Sequence, residues 1–255
     1  LEDIFVDHRF GSAGAKVVIE DFLEGQEFSL MSFVHGTDFW PMPISQDHKR
    51  AYDNDEGPNT GGMGAYSPVP QIGQDVVDAA IETIVRPTVE AMAAEGTPFT
   101  GILYAGLIAT ADGPKVIEFN ARFGDPETEV VLPKLTSDLA AGVDAILNGG
   151  VPEFTWDEDH ATLGVVLAAD GYPNNVIKGA AIPQIPVDES SHVYYAGVSS
   201  TEHGGLMASS GRVLLVETTA DDLKAAQDKV YAIIDKLDTS GMFYRHDIGA
   251  KALKA

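Results

Sequence analysis

Near the middle of the chain, Val116-Ile117-Glu118-Phe119-Asn120-Ala121-Arg122-Phe123-Gly124-Asp125-Pro126-Glu127-Thr128 sets acids, an amide and a guanidinium at spacings of two. On a strand, residues i and i+2 share a face, so Glu118 and Asn120 are expected to project together while Ile117 and Phe119 face the core. A carboxylate and an amide oxygen are hard donors. They suit Mg²⁺, which takes few protein oxygens and completes its octahedron with phosphates and water. Arg122 continues that face at the strand end, where a guanidinium can fork onto a carboxylate or phosphate. An exposed edge strand with polar outward residues would read the same way.

Two other segments carry chemistry. Val17-Val18-Ile19-Glu20-Asp21-Phe22-Leu23 reads as a short strand whose end can offer backbone groups to an adenine edge, with Glu27 as acceptor for ribose hydroxyls. A plain acidic turn fits these residues equally. From Ser45 to Pro70, glycine, proline, asparagine, aspartate and aromatic residues crowd together with no period, a pattern expected of a functional loop. Asp47-His48-Lys49-Arg50 brings positive charge into this acidic chain. Asn59-Thr60-Gly61-Gly62-Met63-Gly64 lets backbone N–H groups approach an anion. A Gly-rich structural loop is the alternative, and His48 alone reads as a hydrogen-bonded structural residue.

Taken in order, V-V-I-E-D-F-L-E-G-Q-E, S-Q-D-H-K-R-A-Y, G-P-N-T-G-G-M-G-A-Y-S-P and I-E-F-N-A-R-F-G-D-P-E-T-E resemble the glycinamide ribonucleotide synthetase family, the phosphoribosylamine–glycine ligases of the ATP-grasp superfamily. The likeness continues through L-A-A-D-G-Y-P, S-G-R-V-L and F-Y-R-H-D-I-G-A-K-A-L. It implies ATP-dependent ligation of glycine to 5-phosphoribosylamine in purine biosynthesis, through a glycyl phosphate, with Mg²⁺ or Mn²⁺ as cofactor. By the resemblance, Glu20, Asp21, Phe22, Leu23 and Glu27 bind ATP, and Glu118 and Asn120 hold the metal. Arg122 and Asp125 are the implied catalytic pair. Asp47, Lys49, Arg50, Asn59, Thr60, Gly61, Gly62 and Glu127 face glycine and the ribosylamine.

The family's N-terminal nucleotide-fold domain and its Gly- and Lys-rich ATP lobe have no counterpart before Leu1, and the chain does not begin with Met. We therefore expect a C-terminal fragment, inactive and weakly ATP-binding by itself, with exposed core through which it self-associates. The alternative is a non-catalytic module that packs against a partner or the absent half. Ser210 stands before Gly211 where the family usually has a second glycine.

The elements that must position these residues read as follows. Phe28–Val34 is a strand, Asp75–Ala94 a helix capped by Asp75 and kinked or split at Pro87, and Gly101–Thr110 and Lys115–Ala121 a strand pair. Glu129–Leu147 reads as a helix ended by Asn148-Gly149-Gly150. Beyond a connector at Trp156–His160, the pattern turns strand-rich at Thr162–Ala169, His192–Val198, Leu206–Ala208 and Arg212–Glu217. A final helix follows, with Thr219-x-x-Asp222 as its capping box. The fold class is α+β: a partial ATP-grasp domain over 1–155, then a small α+β domain over 156–255 with a mostly antiparallel sheet.

Composition limits the partners. Sixteen basic residues against 39 acidic ones give a net charge of −23. Residues 1–160 hold 8 and 28 of these, so the imbalance is concentrated there. Phosphate backbones would be repelled, so no nucleic-acid partner is expected. No apolar run approaches the ~20 residues of a bilayer span and no leader is evident, so neither is a membrane partner. With no cysteine there is no thiolate site or disulfide, which suits a cytoplasmic protein. A hydrophobic fraction of 44% is that of a globular chain.

Overall fold

The computed structural model describes residues 2–8 and 11–254. In chain order, a short α1 (Glu2–Phe5) is followed by β1 (Gln26–His35), β2 (Asp38–Pro41), β3 (Gln46–Asp47), β4 (Arg50–Tyr52), β5 (Glu56–Asn59) and β6 (Gly64–Ser67). Then come α2 (Gln74–Ala80), α3 (Arg86–Ala94), β7 (Thr100–Thr110), β8 (Gly113–Asn120), α4 (Thr128–Val131) and α5 (Leu139–Leu147). The rest comprises β9 (Ala161–Ala169), β10 (Ser191–Tyr195), β11 (Val198–Ser200), β12 (Leu206–Ala208), β13 (Arg212–Ala220), α6 (Leu223–Ile234) and β14 (Met242–Phe243).

Two antiparallel sheets organise the molecule. The first has the order β2-β1-β7-β8, and the second runs β10-β13-β9-β6-β3 with β14 also paired to β9. The first sheet is apolar on both faces. Phe28, Leu30 and Val34 on β1, with Leu103, Ala105 and Leu107 on β7, pack in the cluster that holds Val77, Ala80, Val85 and Val89 of the continuous helix running from α2 through α3. On the opposite face, Met31, Phe33 and Tyr104 meet Val130 and Val131. Each buried Val, Leu, Phe or Met among these contributes roughly 1.5–3 kcal/mol of transfer free energy. Leu163, Val165 and Leu167 of β9 and Val216 of β13 join the first of these clusters, as do Ala226, Val230 and Ile234 of α6.

The second sheet crosses residue 155. β6 pairs with β9 from Gly64↔Val165 to Ser67↔Thr162, so the segment around Gln46–Ser67 is built into the strand-rich part of the chain. That segment was expected to be unpatterned; it holds four short strands, because partners far along the chain supply pairing that local periodicity cannot reveal.

Several element expectations change. Val17–Leu23 is not a strand: no neighbour pairs with it, and Val18 and Phe22 are 84% and 90% exposed. Gly73, not Asp75, caps α2. The helix is split as expected from Pro87, through a π-helical turn at Ile81–Val85 that absorbs the missing N–H. Pro133 divides the expected Glu129–Leu147 helix into α4 and α5, and Asp138 caps α5. Thr219 belongs to β13, leaving Asp222 as the α6 cap through Ala225 N. Phe119 is exposed rather than inward, because a bulge at Gly106/Leu107 interrupts the alternation of the edge strand β8.

Candidate functional site

Glu27 lies on β1 opposite Ile108 and Glu118 on β8 opposite Gly106, so the two acids flank β7. Gly106 makes room: a Cβ there would sit 3.3 Å from Glu118 Cγ. Lys49 Nζ stands between them, 3.9 Å from Glu27 Oε2 and 3.7 Å from Glu118 Oε1. Asn120 Nδ2 is 3.4 Å from Glu118 Oε1, which brings the expected metal donors together. Glu27 is fixed from behind, since the buried Gln46 donates to its carbonyl at 2.5 Å and accepts from Tyr66 OH and Gln71.

Glu20, Asp21, Phe22 and Leu23 border a cleft of about 400 Å³ with Glu27, Ile108, Lys115, Val116 and Ile117. The expected adenine segment therefore meets the expected ribose acid, although as extended chain and not as a strand. Among the described residues no group of three or more His, Asp or Glu is placed to hold a metal by protein side chains alone. Glu118 and Asn120 offer one carboxylate and one amide, a donor set that fits Mg²⁺ when phosphate oxygens and water complete the shell.

Deeper in, Glu127 is 2% exposed and accepts from Tyr104 OH at 2.5 Å and Ser29 Oγ at 3.3 Å. Burial, then Glu127, push the Asp47 carboxyl well above the usual range, with Lys49 and Arg212 pulling it back. Asp47 Oδ1 and both ring nitrogens of His48 are buried without partners. Burial, followed by Arg245 and Lys251, drives His48 down to about 3, so this ring is neutral. Glu129 is pushed up to about 7 by burial and by Asp125.

The loop residues are held by backbone bonds. Thr60 Oγ1 donates to Lys49 O and accepts from Gly62 N. Arg50 donates to Gly57 O at 2.8 Å and Asn59 lies opposite it on β5, so neither joins Glu118. Arg122 was expected to extend the Glu118 face. Instead β8 stops at Asn120, and the exposed Arg122 bonds to Phe123 O.

Asp125 is met from the second sheet by Arg212, whose Nη1 lies 2.9 Å from Asp125 Oδ1. The same nitrogen donates to Asp125 O at 2.7 Å and to Gly61 O at 2.9 Å. Gly61 N donates to Tyr172 OH at 2.9 Å. Sequence reasoning gave no role to Arg212, Tyr172, Ser29 or Tyr104. The S-G-R-V-L and D-G-Y-P strings that contain the first two were its only signal.

Residues 1–128 match the family model for the phosphoribosylglycinamide synthetase ATP-grasp (A) domain, and residues 162–251 match that for the C domain. The chain belongs to the phosphoribosylglycinamide synthetase family. It is 56% identical over 254 residues to a phosphoribosylamine–glycine ligase of Streptococcus pyogenes and 58% identical over 253 residues to that of Lactococcus lactis, covering 99% of this chain in each case. The chain spans 60% of the length of these curated relatives. A phosphoribosylamine–glycine ligase structure from Thermotoga maritima superposes with a TM-score of 0.80 at 36% identity, covering 90% of this chain and 57% of that one. A biotin carboxylase from Campylobacter jejuni, at 12% identity and a TM-score of 0.61 over 88% of this chain and 47% of its own, shares the fold alone. The α+β ATP-grasp expectation therefore holds for this synthetase-family chain. No helix among the described residues is long and apolar enough to cross a membrane.

Proposed function

We propose that the protein takes part in ATP-dependent ligation of glycine to 5-phosphoribosylamine, giving glycinamide ribonucleotide, ADP and phosphate, the reaction named by its relatives. The observation that carries this reading is the convergence of Glu27, Lys49, Glu118 and Asn120 beside the cleft bordered by Glu20–Leu23. Glu20–Leu23 and Glu27 would hold the nucleoside, and Lys49 would neutralise phosphate oxygens. Glu118 and Asn120 would hold Mg²⁺ or Mn²⁺, whose part is to neutralise charge on the nucleotide phosphates.

A glycine carboxylate oxygen attacks the γ-phosphorus and ADP leaves; the ribosylamine nitrogen then attacks the acyl carbon, phosphate leaves, and the nitrogen loses a proton. Such chemistry depends on positioning and charge neutralisation, and needs no nucleophilic Ser, Cys or His. Asp47, Glu127 and the Asn59–Gly62 loop would face glycine and the ribosylamine, with Asp125 beside the reacting carboxylate. Residues 1–155 and 156–255 are the corresponding ATP-grasp and C-terminal parts.

The test is Glu118→Gln in a protein of the relatives' full length carrying this sequence. Turnover should fall by about 100-fold or more with an unchanged circular dichroism spectrum, on the scale of losing one charge-stabilising group. Near-normal turnover would remove Glu118 from the site. A parent protein that releases no ADP in response to glycine would overturn the reading itself.

A further inference from the structure

We propose that the cavity between α4 and the β10 edge of the second sheet binds an aliphatic diamine, with the Glu129 carboxylate as its inner anchor and Glu189 as its outer one. The proposal does not rest on the ligation reading. The cavity shares no lining residue with the cleft bordered by Glu20–Leu23.

About 610 Å³ of space opens here, the size of a small-molecule pocket. Glu129, Leu132 and Pro133 enclose it from α4 and the turn after it, and Glu189, His192 and Tyr194 from the segment that leads into and along β10. Leu132, Pro133 and Tyr194 give it carbon walls. The two acids stand at different depths. Glu189 is exposed, whereas Glu129 Oε2 is buried and has no hydrogen-bond partner among the described residues. A buried carboxylate oxygen without a donor is costly unless a ligand supplies one.

The donors around this oxygen point elsewhere. His192 donates through Nδ1 to the fully buried Glu217 at 2.8 Å, so Nε2 of the neutral ring is a bare acceptor. Thr219 donates to Glu217 Oε1 at 2.9 Å, and Ser190 to Asp188 Oδ1 at 3.2 Å. The ammonium of Lys229 is committed to Asp188 and Ser190. What these groups leave toward the cavity is lone pairs, and a lining of acceptors selects a ligand that donates.

Electrostatics gives that ligand its sign. Burial, then Asp125 and Glu127, push the Glu129 carboxyl up to about 7, with Arg212 opposing them. Burial, Glu217 and Glu129 push the Tyr194 phenol up to about 12, so the same negative potential reaches the opposite wall. A protonated amine relieves it, and a phosphate or carboxylate would add to it. Among the described residues no three His, Asp or Glu are placed to hold a metal ion, and the carbon walls suit an alkyl chain. An inner and an outer acid along one such channel fit an ammonium at each end of that chain.

1,4-Diaminobutane is the probe, titrated calorimetrically into the 255-residue chain at about 0.15 M salt, where exposed charges are largely screened. Binding should saturate at one site. Glu129→Gln, which keeps the side-chain volume, should weaken it by about 10- to 100-fold, the loss of a charge-assisted bond. Glu189→Gln should weaken the diamine by about 2- to 5-fold, as for an exposed pair, and leave n-butylamine unaffected. Butane-1,4-diol, of the same length without charge, should not bind. That comparison uses the unaltered chain, so it decides the matter even where circular dichroism shows a variant to be unfolded. Equal binding of the diol, equal diamine affinity in folded Glu129→Gln, or a diamine affinity indifferent to Glu189→Gln would overturn the proposal.

Discussion

At the scale of single residues, the site sets charges against burial. Lys49 lies near two exposed acids, where an ion pair is worth about 0–1 kcal/mol, so it costs little to redirect its ammonium to a phosphate. His48, one residue earlier, is 2% exposed and has no partner for either ring nitrogen. Burial, with Arg245 and Lys251 adding to it and Asp55 and Asp247 opposing, lowers its pKa to about 3 from an ordinary value near 6.5. The unfolded chain therefore takes up a proton that the folded chain refuses. Stability is unaffected above pH 6.5 and falls as pH drops from 6.5 toward 3. By pH 5 the loss from this one group is about 2 kcal/mol. Urea unfolding at pH 7 and pH 5 should show a difference that shrinks by that amount in His48→Leu. Equal pH dependence in the two proteins would mean that His48 is protonated or solvated in the fold.

At the scale of elements, the β4–β5 hairpin is clamped by the C-terminal segment. Arg245 is fully buried, bonding Asp55 through Nη1 at 3.0 Å and Asp247 through Nε at 2.7 Å, and also donating to Arg50 O. Burial alone would raise Asp247; the Arg245 bonds outweigh it and hold the carboxyl down at about 2. Removing the cation leaves Asp247 without a cationic partner and Asp55 with Lys251 alone, so Arg245→Met should cost about 3 kcal/mol in urea unfolding. A loss below about 1 kcal/mol would show that this cluster is solvated like a surface pair. This clamp also explains what the sequence could and could not disclose. β1, β7, β8 and α6 were legible because their own alternation or 3.6-residue stripe fixes them, and the pairing of Glu118 with Asn120 followed from strand geometry, whereas Glu27 was named by the family resemblance. β3 and β6 were not, since strands of two and four residues carry no period and β6 finds its β9 partner about 100 residues later. Val17–Leu23 misled because β-branched residues favour a strand only where a neighbour pairs with them. Arg212 and Tyr172 stayed hidden for a related reason: each acts on Gly61 across more than 100 residues of chain.

At the scale of the whole molecule, the family descriptions fall on 1–128 and 162–251, whereas the second sheet and the main core take residues from both. Phe28, Tyr66 and Val77 share that core with Leu163, Val216, Val230 and Ile248. Separating the two parts would expose β9 along the edge that β6 covers and open Tyr66 to water. A net charge of −23 adds self-repulsion to any state that keeps the chain compact without this packing. The main core is closed within neither part, and only the smaller cluster around Met31, Phe33 and Val131 lies wholly in the first, so opening one part removes contacts the other needs. The described fold should consequently unfold in one calorimetric transition, with van't Hoff and calorimetric enthalpies in agreement. Residues 156–255 alone should give poorly dispersed amide resonances. Two resolved transitions, or a well-dispersed spectrum from the isolated second part, would show that the shared sheet is an accessory contact between independently stable units.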